Sequence, residues 1–209
     1  MRIRRTNAEV TRDIYRAVEE LSCSVPLAKI TLPMVAKQAA MDRKVLQRRY
    51  ADVEALIRDY SNQFDHSLRE LFSSGREITD KVKRYSYIFG RYIEWSYAHH
   101  ALRTLLLWEF DEEADVGFES GQIRDRLLVD LLGEDFSPQP PGSEREIVRQ
   151  QIILFLAGLT YLYLNRSGAK FIGLPSDSRE AQLSLQLAME RLLEQYFATP
   201  DPLGKGQSI

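Results

Sequence analysis

Four cations fall within seven consecutive residues in the first quarter of the chain. They are Arg43, Lys44, Arg48 and Arg49, and Gln47 stands among them. Arginine and lysine donate to phosphates and guanine edges, and a glutamine amide can pair with both polar atoms of an adenine edge. The cluster therefore predicts contact with duplex DNA. The alternative for any such run is a solvated helix face that binds nothing.

Two short helices joined by a turn are predicted to present these cations, over the segment ITLPMVAKQAAMDRKVLQRRY (30–50). Thr31 can cap the first helix, which has Pro33 in its first turn, and Asp42 can cap the second. A recognition helix this short needs a second helix to hold it in a groove. The spacing is therefore typical of a helix-turn-helix.

Further helices are predicted on both sides of that pair. Thr6 and Glu9 have the spacing of a capping box, so a helix should begin near Asn7. Asp52 can cap a long helix that ends at residues 73–75. Apolar residues recur at helical spacing after that point, without the alternation that strands need. The prediction is an all-α chain whose later helices cover about 77–97, 100–110, 119–132, 143–165 and 177–197.

Charge and composition narrow the functional classes to which the protein could belong. The net charge of −2 divides into +5 for residues 1–58 and −7 for the rest, so the N-terminal part is the one suited to a polyanion. A single cysteine, Cys23, excludes an internal disulfide and favours a reducing compartment. No export signal is recognised, and a cytoplasmic location is expected. The apolar run Ile152–Leu164 is predicted to be a buried helix, since crossing a bilayer takes about 20 residues.

The segment 30–56 resembles the signature of the TetR family of transcriptional regulators. The resemblance rests on the spacing of Thr31, Val35, Ala36, Ala39, Leu46, Tyr50, Glu54, Ala55 and Leu56. It implies a TetR-like all-α fold of about nine helices, with a three-helix DNA-binding domain at residues 1–58. A larger helical domain, 59–200, would bind an effector and dimerise, and a disordered tail, 201–209, would follow.

Three residues depart from the family pattern. Ala40 stands where a glycine is usual in the turn, and it would cost about 1 kcal/mol if the backbone there is left-handed. Gln47 replaces a tyrosine that usually touches the phosphate backbone, and Val53 replaces a lysine that usually opens the fourth helix. Two phosphate contacts are thereby changed or lost.

The implied partner is double-stranded DNA with a palindromic operator, which a homodimer would read with recognition helices about 34–36 Å apart. Arg2, Arg4 and Arg5 could add contacts as a flexible arm. The residues predicted to contact DNA are Thr31, Lys37, Arg43, Lys44, Val45, Gln47, Arg48, Arg49 and Tyr50.

Two further sites are implied for the C-terminal helices. A small apolar or aromatic effector would contact Tyr92, Trp95, Trp108, Phe110 and Tyr161, although each ring could equally fill the core. The dimer interface would use Ile153, Leu156, Ala157, Gly158, Thr160, Leu185, Leu192 and Tyr196. The alternative for this second set is an intramolecular core.

Catalysis, metals and cofactors are not expected. The sequence has no Glu-x-x-His or His-x-x-x-His spacing for a metal, and the acidic cluster at 111–115 is interpreted as a solvated loop or helix start. Two alternatives stay open. One is a helical ligand- or partner-binding protein with weak DNA affinity, suggested by Ala40, Gln47 and Val53. The other is an all-helical enzyme, which would need an acid–base pair that the sequence does not display.

Overall fold

A computed structural model describes residues 6–109, 115–165 and 178–200, with only the backbone described for residues 100 and 115–118. The arm at 1–5, Phe110 and the tail at 201–209 lie outside the described residues. Within those ranges the chain is all-helical and without strands, which confirms the predicted fold class. The nine α-helices of the described residues are α1 (Asn7–Ser22), α2 (Leu32–Gln38), α3 (Arg43–Gln47), α4 (Val53–Ser74), α5 (Lys81–Ala98), α6 (His100–Glu109), α7 (Asp115–Leu132), α8 (Glu144–Leu164) and α9 (Arg179–Ala198).

Helices α1 and α4 begin where side chains cap them, whereas the predicted cap of α2 by the Thr31 side chain is not formed. Thr6 and Glu9 form the predicted capping box at the start of α1, with the Glu9 amide donating to Thr6 Oγ1 at 3.2 Å and the Thr6 amide donating to Glu9 Oε2 at 2.7 Å. Asp52 Oδ1 accepts from the Ala55 amide at 2.7 Å, in the first turn of α4. These caps satisfy amides that lack partners within the helix, so each helix starts at a defined residue.

The chain divides into two compact units. Unit 1 comprises Met1–His66 with His100–Arg126, and unit 2 comprises Ser67–His99 with Leu127–Ile209. The sequence predicted a single boundary between residues 58 and 59. By packing, α6 and the first part of α7 belong to the same compact unit as α1–α3, and the functional boundary stays a prediction.

The core of unit 1 is formed by the inward stripes of α1 to α4. Ile14 of α1, Val35 of α2, Leu46 of α3 and Leu56 of α4 have no exposed surface. The Tyr60 ring stands edge-on to that of Phe64, with centroids 5.4 Å apart. Burial of large apolar side chains at this density stabilises the unit and fixes the relative positions of its short helices.

Aromatic rings dominate the core of unit 2. Phe136 stacks on Tyr196, with centroids 5.0 Å apart and ring planes 2° from parallel, and Tyr85 meets Phe136 edge-on. The Tyr196 hydroxyl donates to the Asp135 carbonyl at 2.8 Å, and the Tyr85 hydroxyl donates to the Asp135 carboxylate at 3.0 Å. Tyr85, Phe136 and Tyr196 are therefore core residues of unit 2.

Two features of unit 2 differ from the sequence prediction. Helix α5 begins at Lys81, later than predicted, because Asp80 caps it by accepting from the Lys83 amide at 3.0 Å. The apolar run in α8 is not simply a buried helix: α8 has 21 residues, and by length and composition alone it could cross a membrane. It leaves Leu154 69% exposed. The sequence alone could not distinguish a helix whose apolar residues are all buried within its own subunit from a helix that also exposes some of them.

Candidate nucleic-acid interface

The turn between α2 and α3 contains one residue with a left-handed backbone, Ala40, at the position where a glycine was expected. Ala40 has φ +49°, the amide of Ala40 donates to the Lys37 carbonyl at 3.2 Å, and the amide of Met41 donates to the Ala36 carbonyl at 2.9 Å. This pair of hydrogen bonds is a Schellman motif, whose left-handed position is usually glycine. The turn therefore keeps the geometry expected of a helix-turn-helix, with the backbone of Ala40 strained.

Replacing this alanine by glycine is expected to stabilise the chain. Ala40→Gly removes a left-handed penalty of about 1–2 kcal/mol, partly offset by the greater freedom of glycine in the unfolded chain. We expect a gain of about 0.5–1 kcal/mol in the free energy of unfolding, measured by urea denaturation. Ala39→Gly is the matched control, since Ala39 has φ −75° and should lose stability instead. An unchanged or lower stability for Ala40→Gly would contradict the assignment of strain.

Helix α3 begins at a capped N-terminus and presents a polar outer face. Asp42 Oδ1 accepts from the Lys44 amide at 2.8 Å, as the sequence predicted. Leu46 is buried under the helix and Val45 is half-buried. The predicted DNA-contacting residues with exposed side chains are Thr31, Lys37, Arg43, Lys44, Gln47 and Arg48. The Thr31 side chain makes no capping hydrogen bond at the start of α2, so capping does not occupy its hydroxyl.

Unlike those six exposed residues, Arg49 is held by hydrogen bonds to α1. Its Nη1 donates to Thr11 Oγ1 at 2.8 Å, and its Nη2 donates to Asn7 Oδ1 at 2.8 Å. The guanidinium is held by the first turns of α1 in this structure, and contact of Arg49 with DNA stays a prediction. Its role here is to join the residues that follow α3 to the start of α1. The partners are some 40 positions away in the sequence, and no local pattern indicates them.

Tyr50, which the sequence predicted to contact DNA, does not lie on the surface. It is buried, and its hydroxyl donates to Asp59 Oδ2 at 2.8 Å. The hydroxyl of Tyr15 donates to the same oxygen at 2.7 Å, so one carboxylate of α4 holds α1 and the end of the α3 segment together. Burial, followed by the hydrogen bond to Asp59, raises the pKa of both tyrosines. Both phenols are therefore neutral donors at physiological pH, and Tyr50 does not point outward toward a ligand.

This tyrosine pair predicts that stability falls at alkaline pH. Because the folded-state pKa of each phenol is raised, its stabilisation is complete below about pH 10 and is lost as the pH rises further. Each tyrosine should steepen the decline by up to about 1.4 kcal/mol per pH unit. Urea unfolding between pH 9 and 11 measures this slope. The double variant Tyr15→Phe/Tyr50→Phe should show a shallower decline, and an unchanged slope would contradict neutral, buried phenols.

The residues predicted to form an effector pocket do not share one environment. Tyr92 and Trp95 pack along α5 in unit 2 with ring centroids 6.3 Å apart, and Tyr161 is exposed on α8. Trp108 of α6 lines a cavity of about 340 Å³ in unit 1, together with the loop after α1. Phe110 lies outside the described residues. The effector site therefore stays a prediction.

The residues predicted for the dimer interface fall into two groups. Ile153, Ala157 and Gly158 are exposed on α8, whereas Leu156, Thr160, Leu185 and Leu192 are partly buried. Tyr196 has no exposed surface and belongs to the core of unit 2, so its assignment to a surface is wrong. The remaining exposed apolar side chains of the two helices are Ile147, Leu154, Tyr161, Leu183 and Leu187.

Comparison with solved structures shows what the fold is similar to. The fatty acid degradation regulator FadR from Bacillus halodurans has a TM-score of 0.66 and 14% identity, over 90% of this chain and 96% of that one. The TetR family repressor AlkX from Dietzia sp. strain DQ12-45-1b, implicated in biodegradation of n-alkanes, has a TM-score of 0.47 and 18% identity, over 90% and 97%. No protein-family model and no curated protein matches the sequence significantly. The chain thus has the all-helical fold of a solved fatty acid degradation regulator.

Proposed function

We propose that this chain is a TetR-type transcriptional regulator that binds operator DNA through α3. The observation that carries the proposal is the exposed group Arg43, Lys44, Gln47 and Arg48 on a capped helix whose other face is fixed in a core. Exposed cations on a mobile segment would be a solvated patch. On a braced helix they form a surface that can enter a major groove and address phosphates and base edges.

The bracing comes from several contacts, among them the hydrogen bonds of Arg49 to α1. The Schellman turn at Ala40 sets the angle between α2 and α3, and Leu46 anchors the underside of α3. Asp59 then holds Tyr50 just beyond the end of the helix. Together they support a rigid presentation of the cationic face, which lowers the entropy cost of docking on DNA.

The experiment that tests this function is a selection of duplexes from a randomised library, followed by affinity measurements across salt concentrations. We expect one enriched, palindromic sequence whose affinity falls steeply between 50 and 200 mM salt, as phosphate contacts require. Arg43→Ala should lower the affinity and reduce the salt slope by about one for each subunit, which is about two for the proposed dimer. Arg91→Ala, which removes an exposed arginine of α5, is the control and should leave both unchanged. Enrichment of no sequence would reject the proposal.

A homodimer is part of this proposal, and the exposed apolar face of α8 and α9 supports it. Ile147, Leu154 and Tyr161 are spaced by seven residues along α8, so they lie on one side of the helix, and Leu183 and Leu187 lie one turn apart on α9. A Cβ added at Gly158 of α8 would meet no other atom of the described residues within 4 Å, so a second helix could approach closely there. Two copies packed on this face would present two recognition helices to one palindrome.

A charge placed on this face is expected to separate the dimer. Leu154→Arg should shift the chain from dimer to monomer in sedimentation experiments at micromolar concentration, because a buried unpaired cation is costly. The helical content should not change, since Leu154 is 69% exposed within the subunit. Val129→Arg is the matched control, as Val129 of α7 is 63% exposed and lies outside α8 and α9. A dimer that survives Leu154→Arg contradicts the proposed face.

The finer parts of the proposal concern regulation. A small apolar or aromatic ligand would favour a conformer with the wrong spacing between recognition helices, releasing the operator in the cytoplasm by population shift. Partly buried rings such as Tyr92 and Trp95 support an aromatic-lined site in unit 2. A ligand screen by thermal shift, repeated with the selected duplex present, tests this step. A hit should stabilise the free protein and weaken DNA binding, and no hit that does both would reject it.

The second candidate is a ligand- or partner-binding protein on the same scaffold with weak DNA affinity. The strained turn at Ala40 and the half-buried Val53 at the start of α4 favour it, because both replace residues that would support DNA binding. The salt slope discriminates between the two candidates. A weak binder would show low affinity with no preferred sequence, whereas an operator-binding regulator would show a preferred sequence and a steep slope.

A further inference from the structure

A buried charge cluster lies in unit 1, away from the cationic face of α3. Arg124 of α7 donates from Nε to Asp65 Oδ1 of α4 at 2.9 Å, and from Nη1 to both carboxylate oxygens of Glu109, the last residue of α6. Its Nη2 donates to Ser61 Oγ of α4 at 2.9 Å, and that hydroxyl contacts Ser120 Oγ at 2.8 Å. A single guanidinium therefore joins three helices.

The cluster is unusual in its burial and its charge. The side chains of Arg124, Glu109 and Asp65 are 8%, 6% and 13% exposed. Two carboxylates share one cation, and burial raises the pKa of Glu109 despite the opposing effect of Arg124. Buried ion pairs of this kind are often no more stabilising than apolar side chains of the same size, because desolvation offsets the attraction between the charges. Stability alone does not account for the arrangement, whereas its directional hydrogen bonds specify one arrangement of the helices.

Helix α4 connects this cluster to the DNA-binding surface. Its Asp59 holds Tyr50, just after α3, and Ser61 and Asp65, which follow within the next two turns, hold Arg124. The two networks are on the same rigid helix, less than two turns apart. A displacement of α4 from Arg124 would therefore be carried to the residues that anchor α3.

We propose that Arg124 is a positioning residue for the DNA-binding surface, holding α4 against α6 and α7 so that α3 keeps one orientation; the inference rests on the proposed function. Release of the guanidinium permits further orientations of α4. The apparent affinity for DNA then falls in proportion to the fraction of molecules that keep the competent orientation. Any event that displaces Glu109 or Arg124 from α4 acts on DNA binding through the same contacts.

The test replaces the three charges by apolar side chains of similar size. Asp65→Leu/Glu109→Leu/Arg124→Met should fold with a thermal midpoint close to that of the unmodified chain, because no buried charge is left unpaired. Its dissociation constant for the selected duplex should rise at least tenfold, and amide hydrogen exchange over residues 43–50 should become faster. A purely structural role would change the thermal midpoint without changing these two measurements at a temperature where the protein is folded.

Two further variants sharpen the test. Glu109→Gln keeps the shape of the side chain and weakens only the ion pair, so it should raise the dissociation constant two- to fivefold even where the triple variant fails to fold. Glu119→Gln is the matched control, because it removes an exposed ion pair between α4 and α7, that of Arg58 with Glu119. The control should match the unmodified chain in affinity and exchange.

The outcomes separate this inference from the proposed function. If the unmodified chain selects no duplex, the proposed function fails, and the exchange measurement alone decides whether Arg124 orients α3. If the chain binds its duplex and the triple variant keeps both affinity and exchange unchanged, the positioning role of Arg124 is overturned. If the triple variant does not fold, unchanged affinity and unchanged exchange in Glu109→Gln overturn the positioning role of Arg124 instead.

Discussion

Asp59→Ala is expected to lower the free energy of unfolding by about 1–4 kcal/mol, because it removes the carboxylate that accepts from the hydroxyls of Tyr15 and Tyr50 and leaves Tyr15 only the backbone carbonyl of residue 59. Each unsatisfied buried donor costs about 1–3 kcal/mol. Both hydroxyls donate to the same Asp59 oxygen, at 2.7 and 2.8 Å, so the two losses occur together. Urea unfolding at pH 7 measures the change. DNA binding should be lost as well, since this carboxylate anchors the end of the α3 segment.

A second set of variants separates the loss of these hydrogen bonds from the effect of changing the side-chain volume at position 59. In the background Tyr15→Phe/Tyr50→Phe, Asp59→Leu removes the carboxylate where no hydroxyl needs it, and the cost should drop well below that of Asp59→Ala. Glu54→Ala serves as a control for removing an exposed carboxylate from the same helix, and it should change stability by less than about 0.5 kcal/mol. An Asp59→Ala cost no larger than this control would show that the tyrosine hydroxyls find other acceptors.

The sequence was sufficient for features that depend on local chemistry. The capping box of Thr6 and Glu9, the cap at Asp42 and the unusual position of Ala40 are each decided within a few residues, and the structure confirms them. Helical spacing of apolar residues likewise indicated an all-α fold. Local hydrogen bonds and side-chain periodicity leave a pattern in the sequence because the interacting groups are neighbours in it.

Errors arose where a side chain meets a distant partner. Tyr196 was assigned to a dimer interface that the family resemblance implied for the last two helices, yet it packs on Phe136 in the core of unit 2. The periodicity of a helix gives its apolar face but not which protein, or which part of one, covers that face. The same limit hid the Arg124 cluster, whose members come from α4, α6 and α7. A basic or acidic residue inside an apolar stripe, as at Asp65 and Arg124, is the signal that could have found it.

A substitution of Arg49 tests whether this residue contacts DNA itself or only positions the helix that contacts DNA. Arg49→Met keeps the aliphatic stem and removes the guanidinium, which donates to Thr11 and Asn7 of α1. Loss of these charge-assisted hydrogen bonds should lower the free energy of unfolding by about 1–3 kcal/mol. The affinity for the selected duplex should fall about tenfold, because α3 loses one of the contacts that fix its orientation.

The salt dependence identifies the cause of that loss. A residue that neutralises a phosphate contributes about one to the slope of affinity against salt, so Arg43→Ala should reduce the slope whereas Arg49→Met should not. Thr11→Val removes one acceptor of Arg49 without changing any charge, and it should reproduce part of the affinity loss. A reduced slope for Arg49→Met, with no effect of Thr11→Val, would mean that the guanidinium leaves α1 and contacts phosphate when DNA binds. An unchanged slope for Arg49→Met, together with a loss of affinity in Thr11→Val, would mean that the orientation of α3 depends on the contacts of Arg49 with α1.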